Sequence, residues 1–138
     1  EGSKVAISKS QRLWLIASLI IAFLQFVLGT QVREAVDIAL ESGIARQDFG
    51  HSLPQWWMLH RSVVWVIIFV HAMWAVPMMK LPKFAFYAKL TLAILLAQTL
   101  TGVLFTQFGF PAFAQPIHIV LGFALILADL RTLLASKS

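Results

Sequence analysis

The chain contains no cysteine. Disulfides, thiolate metal sites and iron–sulfur clusters are thereby excluded. Charge is scarce as well. Only 12% of the 138 residues are Asp, Glu, Lys or Arg, about half of the roughly 25% usual in soluble domains. Hydrophobic residues make up 59% and mean hydropathy is +0.82, so the expected solvent is lipid. The length allows about four spanning helices of roughly 20 residues each. A net charge of +5 does not point to nucleic acid. The basic residues lie mostly at the ends of apolar runs, where they set topology and touch headgroups. The chain opens Glu1-Gly2-Ser3-Lys4 with no initiator Met, and no signal-peptide pattern precedes the first run. A processed chain and a piece of a longer protein both fit that start.

Four apolar runs are present: Leu13 to Thr30, Met58 to Met79, Phe84 to Phe108 and Ile117 to Leu134. Each is long enough to cross the hydrocarbon core, and lipid leaves the backbone few options besides helix. Pro77 falls in the last turn of the second run, where a kink or early stop is tolerable. The expected fold is an all-α membrane protein, a four-transmembrane-helix bundle forming one domain over residues 1–138. Its connections are unequal. Gln31 to Trp57 is long and holds most of the acids; Gln31–Leu40 within it reads as a short surface helix, and Ser52 to Trp57 as an interfacial approach with aromatics at headgroup depth. Lys80 to Lys83 is tight and basic, and Gly109 to Pro116 is short and almost uncharged.

Orientation follows from the cations. Lys4, Lys9, Arg12, Lys80, Lys83, Lys89, Arg131 and Lys137 share one side, which the positive-inside rule makes cytoplasmic. Both termini are then expected inside and the long connection outside, in a multi-pass protein of a bacterial plasma membrane. Arg33, Arg46 and Arg61 remain on the outer side, and an anionic ligand is one reason for them.

An internal repeat is visible. The first run carries Gln25-x-x-x-Gly29 near its outer end, and the third carries Gln98-x-x-x-Gly102. Each is followed, after a connection, by a helix that opens with a histidine, His60 or His118. Helices one–two and three–four thus read as two helix-pair copies about an axis along the membrane normal. That axis places two imidazoles at one depth inside the bundle. Facing imidazoles are what a six-coordinate haem iron takes as axial ligands. Zinc usually wants three or four protein ligands, and only two converge here.

Other residues group around this pair. Gly122, one turn below His118, leaves room for a flat macrocycle; Gly29 and Gly102 either do the same or permit close helix packing. Gln25 and Gln98 would be costly facing lipid and are expected to face the bundle. Arg33 and Arg61 lie where haem propionates would emerge, and arginine pairs carboxylates bidentately; snorkelling to headgroups is the alternative. Glu34, Asp37 and Glu41 share one helical face, either a solvated acidic face or, through Glu34, a group that handles protons at the outer surface. His71 lies about 16 Å deeper than His60 along its helix, with Asp129 but no histidine at that depth on the last helix. It reads as a buried, hydrogen-bonded residue, with a proton or electron relay as the other reading. His51 is expected to be exposed.

These motifs together resemble the haem A synthases: Leu-Gln-x-x-Leu-Gly-Thr-Gln-Val-Arg-Glu over Leu24 to Glu34, Leu-His-Arg over Leu59 to Arg61, Gln-x-x-x-Gly in the third run and a histidine opening the fourth. The resemblance covers nearly the whole chain. It implies a family of eight-helix proteins in two similar halves, with half-size members, that oxidises a methyl group of haem O to the formyl of haem A. The chain is most similar to the C-terminal half, which holds haem b through two histidines. That carries over to His60 and His118. In the other half a glutamate implicated in catalysis stands three residues before the first histidine; here that position is Trp57. The implied partners are the bilayer, haem, a second four-helix half or further copies of this chain, and a haem O synthase or terminal oxidase. A b-type cytochrome membrane subunit for electron transfer and a haemless structural subunit of a respiratory complex are the competing readings.

Overall fold

The structure is a computed structural model that describes residues 7–136. Helix α1, Lys9–Glu41, opens on a capping box: the Ser8 hydroxyl accepts from the Gln11 backbone N–H at 3.1 Å while the Gln11 side chain accepts from the Ser8 N–H at 2.8 Å. It ends in a Schellman turn at Gly43, whose φ of +79° suits a residue without a Cβ. The Gly43 and Ile44 N–H groups return to the carbonyls of Leu40 and Ala39.

The separate surface helix expected over Gln31–Leu40 is not separate. α1 runs unbroken through it. No Gly or Pro interrupts residues 30–42, and Val32, Val36 and Ala39 continue one buried stripe. Thirty-three residues rise about 50 Å, well beyond a hydrocarbon core of roughly 30 Å. The last turns of α1 therefore stand clear of the apolar layer, and Arg33, Glu34, Asp37 and Glu41 occur there.

A 3-10 turn, Arg46–Asp48, and the one-turn helix α2, Phe49–Ser52, lead to α3, Gln55–Met78. Pro77 lies in the last turn of α3. Trp57, expected at headgroup depth, turns inward and is buried among Phe49, Phe105 and Phe110. Helix α4, Pro82–Gln107, has its proline at the first helical position, where the missing N–H costs nothing. It stops at Gly109 and Phe110, both with positive φ. Helix α5, Ala114–Ala135, completes the chain.

Each of the four long helices is long and apolar enough to cross a membrane. Their outward faces carry large apolar side chains such as Trp65, Phe69, Leu100 and Val120, so the bundle is hydrophobic all round, as a lipid-immersed one must be. α1 and α4 each pack on both α3 and α5, which puts α1 opposite α4 and α3 opposite α5. The repeat extends far past the motifs that announce it. One constant shift carries Ser18, Ala22, Gln25 and Gly29 of α1 onto Thr91, Leu95, Gln98 and Gly102 of α4. Another carries His60, Ile67, His71 and Trp74 of α3 onto His118, Leu125, Asp129 and Thr132 of α5.

The core is layered accordingly. At the terminal end, where α1 begins and α5 ends, Leu15, Trp74, Met78, Phe84 and Ala88 pack together. Ala22, Ile67, Leu95 and Leu125 form the middle. At the opposite, loop end lies the cluster of Val32, Val36, Phe49, Trp57, Phe105 and Phe110. The Trp74 indole N–H donates to Ser18 Oγ at 3.0 Å. Interhelical bonds of this kind contribute about 0.6 kcal/mol in lipid and rarely more than about 1.7.

Candidate cofactor site

Between the middle layer and the loop-end cluster the four long helices line a partly open cavity of about 580 Å³, within the roughly 300–1,000 Å³ typical of small-molecule and cofactor sites. His60 on α3 and His118 on α5 enter it from opposite helices. Their ring centroids are 6.4 Å apart with planes inclined by 65°. Both rings pack beside a glycine, and the one at His60 is the tighter. A Cβ on Gly29 would stand 3.1 Å from His60 Cε1, and one on Gly102 would stand 3.5 Å from His118 Cε1. Each imidazole thus rests on the backbone of the helix that precedes it in its repeat. Gly122 is different. It lines the cavity, but the space beside it holds the Gln98 amide and the Phe26 ring, at 3.2 and 3.3 Å from a built Cβ. Those two side chains lie against Gly122, where the sequence reading leaves room for a macrocycle.

The hydrogen bonds fix one imidazole and leave the other free. His118 Nδ1 lies 2.8 Å from Thr101 Oγ1, and that hydroxyl donates its proton to the Gln98 carbonyl at 2.9 Å. The hydroxyl can only accept from the ring, so Nδ1 carries the proton and Nε2 keeps its lone pair. Nε2 in turn accepts from the Gln98 side-chain amide at 3.1 Å. This is the tautomer of a metal-binding imidazole, held by an oxygen behind it. Gln98 occupies the position that a ligand of Nε2 would take. His60 Nδ1, by contrast, is buried without a partner. Gln25 donates to the His60 backbone carbonyl at 2.6 Å and does not reach the ring. Gln25 Oε1 and Gln98 Oε1 are also buried and unpaired. Unsatisfied buried polar atoms cost about 1–3 kcal/mol each, so three around one cavity mark a place built for a polar or metal-bearing guest.

A paired-imidazole cavity is the kind of site a cofactor needing only two protein ligands would use, provided the Gln98 amide gives way at His118 Nε2. Among the described residues, no group of three or more His, Cys, Asp or Glu is placed to hold a metal ion. A pair suffices where the cofactor supplies the remaining ligands. With metal–nitrogen bonds of about 2 Å, two imidazoles on one iron place their centroids about 6 Å apart, close to the spacing found.

Arg33 and Arg61 both line the cavity. Arg33 also forms an ion pair with Asp37 one turn along α1, while Arg61 is exposed. Glu34 is not brought to the imidazoles. It lines a separate hollow of about 280 Å³ with Ile38, Pro54 and Trp56. His51 is exposed on α2. His71 is fully buried and hydrogen-bonded, 2.8 Å from the Ile67 carbonyl and 3.1 Å from Asp129 Oδ2.

Three features escaped sequence reasoning. Thr101 sits directly before Gly102, inside the Gln98-x-x-x-Gly102 motif itself, and its spacing from Gln98 is the signal that points to it. Phe105 lies 5.2 Å from the His118 ring and stacks on Phe110 at 5.6 Å, and Trp57 packs on Phe110 at 5.0 Å. This aromatic cluster packs over the loop-end side of His118. Arg46 secures it by donating to the Phe110 carbonyl at 2.9 Å, a contact between distant loops that no local pattern announces. Compared with protein-family profiles, with curated proteins and with solved structures, the chain finds no match.

Proposed function

We propose that the chain is the haem b-binding four-helix half of a haem A synthase, with His60 and His118 as axial ligands. One observation carries this reading: two imidazoles 6.4 Å apart across a cavity that all four spanning helices line. Bound haem would supply one-electron redox chemistry. The protein's residues do the rest. Gly29 and Gly102 seat the rings, Thr101 sets the His118 tautomer, and Trp57, Phe105 and Phe110 give the loop-end side of His118 an apolar wall. Arg33 and Arg61 offer cations to the carboxylates of the cofactor. The terminal end faces the cytoplasm and the loop end faces out.

Within that family reading, this half relays electrons and does not itself oxidise the haem O methyl group. Trp57 holds the position of the catalytic glutamate, buried in the aromatic cluster, and Glu34 opens onto another hollow. Oxidation then needs a second four-helix half or another protein. The missing acid also favours a second reading, a b-type cytochrome subunit that only transfers electrons. A reduced-minus-oxidised spectrum of the purified chain tests both, followed by extraction of the haem. A low-spin b-type spectrum is expected. Association of the loaded chain with a partner that carries haem O or haem A supports the synthase reading over the cytochrome. A chain that binds no haem overturns both.

A further inference from the structure

The polar side chains that are fully buried among the described residues are Ser18, His71, Thr91, Asp129 and Thr132. They form a second layer. His71 and Asp129 each lie eleven residues beyond His60 and His118, about 16 Å toward the terminal end. The repeat relates His71 to Asp129 as it relates His60 to His118, and Ser18 to Thr91 as Gln25 to Gln98. The pseudo-symmetry axis that runs between the two imidazoles of the cavity therefore runs between His71 and Asp129 as well. Here the two side chains meet directly.

The geometry counts the protons. His71 Nδ1 lies 2.8 Å from the Ile67 carbonyl, which can only accept, so Nδ1 is protonated. The 3.1 Å contact of Nε2 with Asp129 Oδ2 requires one more proton, on either atom. With it the dyad is neutral overall, which is how such a pair survives in hydrocarbon. Asp129 Oδ1 is buried with no partner, and so is Thr91 Oγ1. One protonation position on the dyad is therefore vacant. The surroundings offer no rival. No titratable side chain occurs from Leu13 to Val32 on α1 or from Leu90 to Gln107 on α4. His71 stands alone from Ser62 to Met79 on α3, and Asp129 from Ile119 to Leu130 on α5. Beyond these spans, toward the terminal end, stand Lys9, Arg12, Lys80, Lys83, Tyr87, Lys89 and Arg131. Lys89 and Arg131 are exposed, and the Arg131 guanidinium is 5.3 Å from the Tyr87 ring centroid.

We propose that the His71–Asp129 dyad is a proton-binding site coupled to the redox centre of the cavity. The proposal rests on the haem reading above. An electron placed in the cavity adds a negative charge to a low-dielectric interior, where charges are felt over longer distances than in water. The dyad is the group there that can answer it with a positive charge. If the bound cofactor gains one electron from an external one-electron reductant, Asp129 Oδ1 would take one proton from water while the shared proton rests on His71 Nε2. Oxidation returns both, and no other bond is made or broken.

The test is a potentiometric titration of the purified full chain at a series of pH values, joined to redox-difference infrared spectroscopy. Wild type should show a midpoint potential that falls as pH rises, and a carboxylic C=O band that grows on reduction. Asp129→Asn and His71→Gln should keep the low-spin spectrum, flatten the pH dependence and lack the band. Asp129→Glu should retain both signals, which separates the proton from the packing. Three results overturn the proposal: a pH-independent wild-type midpoint, no redox-linked carboxyl band in wild type, or a wild-type slope in Asp129→Asn. Variants that lose only thermal stability would show the dyad to be a structural lock. Absence of haem in wild type would remove the functional reading itself, whereas bound haem with a flat midpoint removes this coupling alone.

Discussion

Gly29 supports the imidazole of His60 more tightly than Gly102 supports that of His118: a Cβ would approach Cε1 to 3.1 Å in the first case and 3.5 Å in the second. The first distance requires the ring to give by a few tenths of an ångström; the second is ordinary contact. Gly29→Ala should therefore displace His60 and weaken or abolish the low-spin haem spectrum. Gly102→Ala should leave it near wild type. Both glycines are helical, so the loss of backbone freedom is common to the two variants and cancels in the comparison. Equal spectra in the two would show that the glycines serve helix packing and not the imidazoles.

His60→Ala and His118→Ala should each remove low-spin absorbance, because one missing axial ligand leaves the iron five-coordinate. Changing His71 should spare the spectrum, since that ring is committed to Ile67 and Asp129. Loss of haem on changing His71, with haem retained in His118→Ala, would mean that the wrong residues have been paired.

The two imidazoles are not equivalent, and Thr101 is the reason. Its oxygen accepts from His118 Nδ1, which makes the ring a better donor through Nε2 and stabilises ferric iron. Thr101→Val keeps the shape and removes the acceptor. The midpoint potential should rise while the iron stays six-coordinate. A midpoint that is unchanged or lower would show that the hydroxyl serves only its bond to the Gln98 carbonyl.

Much of this was legible beforehand because lipid makes the rules strict. Apolar runs of spanning length must be helices, and the pairing of His60 with His118 followed once Gln25 and Gln98 established a repeat. What was missed lies where charge and local pattern mislead. The acids after Thr30 suggest a loop, yet Val32, Val36 and Ala39 carry α1 onward because the helix rises past the apolar layer and buries them against the aromatic cluster. Trp57 looks like a headgroup anchor but is drawn inward by Phe110, whose own φ of +55° no residue preference would suggest. Asp129 is legible in the sequence at the depth of His71. That the two touch could not be read from spacing, since the histidines at equivalent positions stand apart around a cavity.

Topology is checked independently of any cofactor. With Lys80, Lys83, Lys89 and Arg131 at the terminal end, that end should face the cytoplasm. A reporter fused after the last residue should read as internal, and one inserted near His51 as external. The opposite readings would invert the bundle and place the histidine cavity near the inner face.

The loop-end arginines supply the last test. Arg33 and Arg61 both border the cavity, and a nearby positive charge favours the electron-rich ferrous state, so each should raise the midpoint potential of the bound haem. They should not do so equally. Arg33 is already paired with Asp37, whose negative charge offsets much of its field, whereas Arg61 projects from the turn that carries His60. Both effects are reduced by water and salt at the membrane surface. Arg61→Gln should thus lower the midpoint more than Arg33→Gln, without loss of axial ligation, and the difference should shrink as ionic strength rises. Asp37→Asn should release Arg33 and raise the midpoint. Arg12→Gln, at the terminal end of α1, should leave the midpoint unchanged. Redox titration of the four variants decides the matter. An unchanged midpoint in both Arg33→Gln and Arg61→Gln would mean that these cations only anchor their helices in the headgroups, and that the carboxylates of the cofactor leave the bundle elsewhere.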